Sequence, residues 1–403
     1  MPTIQKHRSS ILCTLLTLVF LSASAFAQSQ EDAEKAQHLF NEGNILIGKG
    51  DHATAIVKYT EAAKLAPKWN LPILNRGVAY LSLSKHAEAE TDADAALSLI
   101  KPDAMQSEQH AAIAYQIKGT IKQYRGDLNG ALEYFSKAIE LVPSDAKMHN
   151  SRGNSLQFLN RNEEALEAYT QAIKYDSSTA MFFVNRAVIL ERLKKNDEAL
   201  SDLTIALDLD KNSSLAYYAR GALRMRAKSY DESLKDFDEA IRLDSNKPIY
   251  FHARGLLYTH KTEYALAIKD HTKALSLDPK HIHALSDRAI AQDRSGNTKA
   301  AVEDMRTASA INPNSLTLKY NLGYLLYKNG QFTESAQVVT EVIAKAPNWK
   351  APYILRSNCY VKLKMDAKAR ADRAKAATLG ADGRPANEGY IVFDLNVMVP
   401  EDF

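Results

Sequence analysis

A period of 34 residues constrains this chain more than any other feature. From Ala112 onward the pattern repeats without a gap, and small residues recur at positions 8, 20 and 27 of each unit. Two helices that cross closely need small side chains where they touch. Proline recurs at position 32, where it ends a helix before the next unit begins. The period therefore predicts a succession of helix pairs, one pair per unit.

The small residue at position 8 is glycine in most units. The ten residues at this position are Gly43, Gly77, Gly119, Gly153, Ala187, Gly221, Gly255, Ala289, Gly323 and Ser357. With these positions, residues 36–383 resemble the tetratricopeptide repeat family. The resemblance implies an all-α fold, a right-handed superhelical solenoid of about ten helix-turn-helix repeats. It also implies protein binding rather than one particular chemistry.

The first 27 residues differ from the rest. Lys6, His7 and Arg8 precede the apolar run Ile11–Leu21, and small residues lead to Ala27. This order is typical of a secretory signal peptide that is cleaved before Gln28. The apolar run is too short for a stable membrane anchor, and no later stretch is long and apolar enough to cross a membrane. We therefore expect an exported protein, periplasmic or secreted.

Composition agrees with this expectation. The formal charge is +3, and it falls to +1 when Lys6 and Arg8 leave with the signal peptide. A nearly balanced chain attracts neither nucleic acid nor anionic lipid over long distances. Of the two cysteines, Cys13 and Cys359, the mature chain keeps only Cys359, so it forms no internal disulfide.

The pattern divides the chain into six segments. They are the signal peptide 1–27, an N-terminal spacer 28–35, repeats 1 and 2 in 36–103, an insert 104–111, repeats 3–10 in 112–383, and a C-terminal tail 384–403. The insert lacks glycine and linker composition, so we expect the repeats to stack on through it, with Ser107 and Glu108 capping a lengthened helix. The apolar run Tyr390–Phe393 indicates a tail that folds over the last repeat or serves another partner.

Arginine at position 7 and aspartate at position 23 recur together, sixteen residues apart. Repeat 1 exchanges the signs, with Glu42 and Lys58, and repeat 9 has apolar residues at both places, Leu322 and Val338. Such compensation within one chain indicates an ion pair between the two helices of a repeat. Arg152 faces Ala168 in this pattern and lacks the acid.

The family resemblance assigns the concave groove to positions 2, 5, 9, 12 and 13 of the first helix. Projected here, these positions give an amphipathic groove with a basic row, suited to a protein or peptide segment with apolar and acidic groups. The candidate partner-binding residues are Asn154, Arg192, Tyr218, Arg226, His252, His260, Arg294, Tyr320, Tyr324, Tyr327 and Lys328. The alternative is that the tyrosines at helical spacing belong to the core.

Some relatives hold a partner's terminal carboxylate with lysines and asparagines. Here Asn154 and Asn185 occupy two such places, but Asn150 stands where a lysine is expected, so we do not predict tail binding.

The sequence has no phosphate loop, HExxH, CxxC or nucleophile elbow, which indicates a non-enzyme without cofactor. Histidines gather in repeats 7 and 8. His252 and His260 lie about 12 Å apart along a helix, too far to share a metal ion, whereas a His252 and His283 pair across adjacent helices stays open as an alternative.

These features favour a non-catalytic protein-binding scaffold in the cell envelope. Two alternatives stay open: a binder of envelope polysaccharide or its export machinery, and an accessory subunit of a separate enzyme. A peptide-binding groove predicts dependence on Arg226 and Arg294 and sensitivity to salt. A sugar-binding groove predicts dependence on Tyr320, Tyr324 and Tyr327 with little salt effect.

Overall fold

A computed structural model describes residues 29–100 and 106–379, and these residues form twenty α-helices and no strand. The chain divides after Asp210 into two compact units. Each repeat contributes one odd-numbered helix, here called an A helix, and one even-numbered B helix. The all-α fold of stacked repeats predicted from the period is confirmed.

The first unit contains ten helices, which belong to repeats 1–5. They are α1 Gln30–Gly48, α2 His52–Leu65, α3 Asn70–Ser82, α4 His86–Leu99, α5 Ser107–Tyr124, α6 Leu128–Leu141, α7 Ala146–Phe158, α8 Asn162–Tyr175, α9 Ala180–Arg192 and α10 Asn196–Leu209.

The second unit contains the ten helices of repeats 6–10. They are α11 Ser214–Arg226, α12 Tyr230–Leu243, α13 Pro248–His260, α14 Tyr264–Leu277, α15 Ile282–Arg294, α16 Thr298–Ile311, α17 Leu316–Lys328, α18 Phe332–Lys345, α19 Lys350–Lys362 and α20 Asp366–Thr378.

The turn between the helices of a repeat lies at position 15, as the glycines there predict. Gly50, Gly126, Gly296 and Gly330 have φ between +78° and +89°, the left-handed region that glycine adopts at little cost. The other six repeats place a residue with a side chain there, also at positive φ. These residues are Ser84, Asn160, Lys194, Lys228, Thr262 and Lys364.

Glycine at position 8 lets a ring of the B helix reach the A-helix backbone. A Cβ added to Gly153 would lie 2.6 Å from the Tyr169 ring, and one added to Gly221 would lie 2.9 Å from the Phe237 ring. Both rings are fully buried. The recurring small residue is therefore explained by close helix crossing within a repeat.

A buried tryptophan just before an A helix appears once in each unit. Trp69 packs on Phe40 with ring centroids 4.9 Å apart, and Trp349 packs on Tyr320 at 4.8 Å, with the rings tilted in both pairs. Both tryptophans are at most 1% exposed. The two places are equivalent in the repeat, so Tyr320 is the counterpart of the core residue Phe40.

Helix α5 begins at Ser107 and packs against both α3 and α4. Its N-cap is Gln106 in the left-handed conformation, and Ser107 is the first helical residue and is buried. The predicted capping role of Ser107 is therefore wrong. Helix α1 begins at Gln30, so most of the predicted 28–35 spacer is helical.

Three predicted features lie outside the described residues. They are the signal peptide, the C-terminal tail and the first part of the insert. Along the ranges that are described, no helix combines the length and the hydropathy needed to cross a membrane.

Candidate partner-binding surface

Every candidate residue lies on an A helix, and within each unit neighbouring A helices touch along one face. In the first unit Asn185 donates to Asn150 Oδ1 over 2.9 Å, and in the second unit His252 Nε2 lies 2.7 Å from Asp287 Oδ2. Both contacts join residues 35 apart, from position 5 of one repeat to position 6 of the next. We call the surface made by these helices in each unit its A-helix face.

The predicted ion pairs within repeats are confirmed. In six repeats the arginine guanidinium donates through Nε and Nη2 to the two oxygens of the aspartate, and in repeat 1 Lys58 Nζ lies 2.9 Å from Glu42 Oε2. The aspartates are buried. The six pairs are Arg76–Asp92, Arg186–Asp202, Arg220–Asp236, Arg254–Asp270, Arg288–Asp304 and Arg356–Asp372. These arginines belong to the scaffold.

In the first unit the candidate residues make contacts within the protein. Asn154 Oδ1 accepts a hydrogen bond from the Tyr169 hydroxyl at 2.8 Å, which fixes the amide. Arg192 is exposed at the end of α9, and its Nη1 lies 3.3 Å from the Gln157 carbonyl oxygen. Phe158, which is not among the candidate residues, is 56% exposed at the same position of the preceding repeat.

In the second unit three candidate basic residues are exposed at equivalent positions of consecutive repeats, and we call them the basic row. Arg226, His260 and Arg294 are the last residues of α11, α13 and α15. A cation at a helix C-terminus is stabilised by the helix dipole, so Arg226 and Arg294 also favour their own helices. The row nevertheless presents basic groups at the same corner of three consecutive A helices.

Lys328 occupies the same position in α17 but is neutralised within the protein. Its Nζ lies 2.7 and 2.8 Å from the two oxygens of Asp293, whose side chain is 3% exposed. The lysine therefore compensates a buried carboxylate instead of offering a charge to a partner. Asp293 was missed by sequence reasoning, although the spacing of 35 residues would have identified it.

The three tyrosines of α17 do not form an open aromatic surface. Tyr320 is 0% exposed and Tyr324 is 6% exposed, in contrast to the groove position expected for them. Both belong to the large core of the second unit, because Tyr320 packs on Trp349. Tyr327 is half-buried against Phe332, and burial raises its pKa.

Tyr218 and His252 line the A-helix face of the second unit but are half-buried. The Tyr218 ring lies 5.2 Å from that of Tyr250, and burial raises the pKa of Tyr218. His252 binds Asp287, an acid that sequence reasoning missed. Although histidines surround His252, the described residues hold no group of three ligands placed to bind a metal ion.

Comparison with known proteins supports the repeat assignment. Sequence models of the family described as Tetratricopeptide repeat match residues 112–145, 150–214, 193–248, 250–281 and 294–359. Together the matches cover more than half of the chain.

Curated relatives match over short stretches. The chain is 32% identical over 120 residues to Small glutamine-rich tetratricopeptide repeat-containing protein 2 of Saccharomyces cerevisiae, which is 29% of this chain and 32% of that protein. It is 41% identical over 71 residues to human Mitochondrial import receptor subunit TOM34, 18% of this chain and 23% of that protein. The chain thus spans about a third or less of the length of these relatives.

Among solved structures, a tetratricopeptide repeat protein from Parabacteroides merdae is similar in fold. The TM-score is 0.50 at 19% identity, over 64% of this chain and 98% of that one. At this identity the likeness concerns the fold alone.

Proposed function

Because the chain belongs to the tetratricopeptide repeat family, we propose that it is a non-catalytic scaffold of the cell envelope that holds a protein or peptide segment. The segment lies against the A-helix face of the second unit. Its binding depends on charge, with acidic groups of the partner next to Arg226, His260 and Arg294.

Relatives support the general part of this proposal. One is named as a mitochondrial import receptor subunit and another, from Arabidopsis thaliana, as Hsp70-Hsp90 organizing protein 3. Both names describe proteins that act through other proteins. A helical repeat scaffold offers a long surface rather than an enclosed site, which suits such a role.

The exposed basic row is the observation that supports binding of an acidic segment at this surface. Neighbouring helices pack about 8–10 Å apart, so the three basic side chains recur at about that spacing. A polyproline II segment advances about 9 Å in each turn of three residues, so its side chains three apart lie on the same side. An acidic residue at every third place of such a segment would therefore meet one basic side chain per repeat.

The buried tyrosines make a sugar-binding surface a weaker candidate. Stacking on a sugar needs an accessible ring face, and Tyr320 and Tyr324 have less than a tenth of their surface exposed. For the same reason Tyr324→Ala is a poor probe of binding, since it would open a cavity in the core.

The test compares two baits of equal net charge. One carries Arg226→Glu and Arg294→Glu in the row. The control carries Lys269→Glu and Lys299→Glu, which change exposed lysines of the B helices α14 and α16. Proteins captured from envelope extract are identified, and the partner's binding segment is then measured as a synthetic peptide by calorimetry.

A partner that binds the native chain and the control but loses at least about tenfold in affinity for the row variant supports the proposal. Its affinity should also fall as salt rises from 50 to 500 mM, since exposed charges are screened. Equal binding to both variants would contradict it.

Export is the second part of the proposal and rests on residues 1–27. We expect the chain to be cleaved after Ala27 and to leave the cytoplasm. N-terminal sequencing of the protein from fractionated bacterial cells tests this. A chain that begins at Gln28 in the periplasmic or secreted fraction supports export, and an uncleaved cytoplasmic chain contradicts it.

A further inference from the structure

Four histidines meet in the second unit, at the junction of repeats 7 and 8. His252 lies on α13, His271 on α14, His281 just before α15 and His283 on α15. The ring centroid of His252 lies 5.5 Å from that of His271, 5.0 Å from that of His281 and 6.2 Å from that of His283. We call these four side chains the histidine cluster.

His271 is an unusual residue for its place. It is fully buried, and neither ring nitrogen has a hydrogen-bond partner among the described residues. Its ring packs on Gly255, where an added Cβ would lie 2.7 Å from the ring. The equivalent residue of repeat 6, Phe237, packs on Gly221 in the same way. An imidazole thus stands where the fold uses an apolar ring, without gaining a polar contact.

His281 and His283 are also held in surroundings that disfavour a proton. Burial and the nearby His252 lower the pKa of both. The Nδ1 atom of His281 accepts the backbone N–H of Ala284 over 3.2 Å and so caps α15. A cap that accepts this bond needs the lone pair on Nδ1, so protonation there would remove the cap.

The acidic groups around the cluster are too few to neutralise the charge of four added protons. Asp287 binds His252 at 2.7 Å, and Asp278 lies close enough to attract a proton on His281. Arg288 disfavours a charge on His271, and it is itself paired with Asp304 of α16. On the remaining side, Arg254 of α13 is paired with Asp270 of α14 and Asp238 of α12.

We propose that the histidine cluster makes the α13–α15 segment acid-sensitive, so that these helices loosen when the cluster takes up protons below neutral pH. At neutral pH burial keeps His271, His281 and His283 uncharged, because it lowers the pKa of each ring. In acid, cations are formed within about 5–6 Å of one another, and the cap of α15 is lost. The helices that carry His260 and Arg294 then lose their fixed positions.

The direction follows from proton linkage. Burial lowers the pKa of His271 to about 3, whereas an unfolded histidine titrates near 6.5. The open state therefore binds more protons, and stability that is present above about pH 6.5 is lost as the pH falls. Between pH 7.5 and 5.5 one such histidine shifts the opening equilibrium about tenfold toward the open state.

Hydrogen exchange of the full chain, followed by mass spectrometry at pH 7.5 and 5.5, tests the proposal. After correction for the intrinsic exchange rate, opening in residues 248–294 should rise at least about tenfold in acid. Helices α17 and α18 contain no histidine and provide the internal reference.

Three variants sharpen the test. His271→Phe copies Phe237 and should reduce the acid response of residues 248–294 by about tenfold. His283→Gln should also reduce it and serves if His271→Phe does not fold. His38→Gln removes an exposed histidine of the first unit, whose side chain is 74% exposed, and should leave the response unchanged.

An acid response that is absent, that is equal in α17–α18, or that persists fully in both cluster variants would overturn the proposal. Loosening of these helices would also release a partner bound to the A-helix face, and this consequence rests on the proposed function. The exchange experiment uses no partner, so its result is independent of whether the A-helix face binds one.

Discussion

Arg288 binds Asp304 through two parallel hydrogen bonds, with Nε 2.7 Å from Oδ2 and Nη2 2.7 Å from Oδ1. The pair joins the A and B helices of repeat 8. In repeat 9 the same two positions hold Leu322 and Val338, and Leu322 is buried. The fold therefore accepts either an ion pair or an apolar pair at this contact.

This alternative predicts a strong coupling between the two residues. Arg288→Leu leaves the buried carboxylate of Asp304 without its partner and should lower the free energy of unfolding by about 3 kcal/mol. The double variant Arg288→Leu with Asp304→Val copies repeat 9 and should come within about 1 kcal/mol of the native chain. Urea denaturation of the native chain, Arg288→Leu, Asp304→Val and the double variant completes the cycle.

Additive losses in that cycle would show that the two side chains act independently. Lys299→Ala, at an exposed position of the same repeat, is the control and should change stability by less than about 0.5 kcal/mol.

The ion pairs could be predicted from sequence because equivalent positions of the ten repeats can be compared within one chain. The exchanged charges of Glu42 and Lys58 identified the contact, and the structure confirms it. Periodicity likewise predicted the helices and the turns. These features depend on contacts within one repeat, which recur ten times and so reveal their rules.

The candidate surface was less predictable because it depends on contacts between repeats. The groove positions of an A helix hold both exposed and core residues. Whether a residue at such a position is buried depends on the helices that pack beside it. Tyr320 became a core residue because Trp349 covers it, and Lys328 became a structural cation because Asp293 lies beside it. Contacts between repeats join position 5 or 12 of one repeat to position 6 or 13 of the next. The sequence prediction did not use this rule.

The turn of repeat 7 contains Thr262 at φ +61°. A β-branched residue is strained in the left-handed region, where four other repeats use glycine. Thr262→Gly should therefore raise the free energy of unfolding by about 1 kcal/mol. Asn160→Gly at the equivalent turn of repeat 4 is the control and should change little, because asparagine tolerates this conformation. A destabilised Thr262→Gly variant would show that its side chain matters more than the strain.

Cys359 offers a probe of the last repeat. The residue is fully buried, its Sγ lies 3.2 Å from Ser335 Oγ, and burial raises its pKa. A protonated, covered thiol reacts slowly. In a Cys13→Ser chain, we expect a thiol reagent at pH 7.5 to react with Cys359 at least about a hundredfold more slowly in buffer than in 6 M urea. Similar rates in both solutions would show that repeat 10 opens readily.

Gly153 tests the close approach of the two helices in a repeat. A Cβ at this position would lie 2.6 Å from the Tyr169 ring, so Gly153→Ala should destabilise the chain by about 1–3 kcal/mol, measured by urea denaturation. Gly48→Ala is the matched control, since nothing lies within 4 Å of the added atom. Alanine favours helix over glycine, so the control should be neutral or slightly stabilising.

A second change should correct the first. Repeats that have alanine at position 8, Ala187 and Ala289, carry Leu203 and Met305 where repeat 4 has Tyr169. Gly153→Ala combined with Tyr169→Leu should therefore lose less stability than the sum of the two single changes. A loss equal to that sum would mean that the tyrosine ring does not determine the need for glycine. The polar bond from Tyr169 to Asn154 is removed in both the single and the double leucine variants, so it does not affect this comparison.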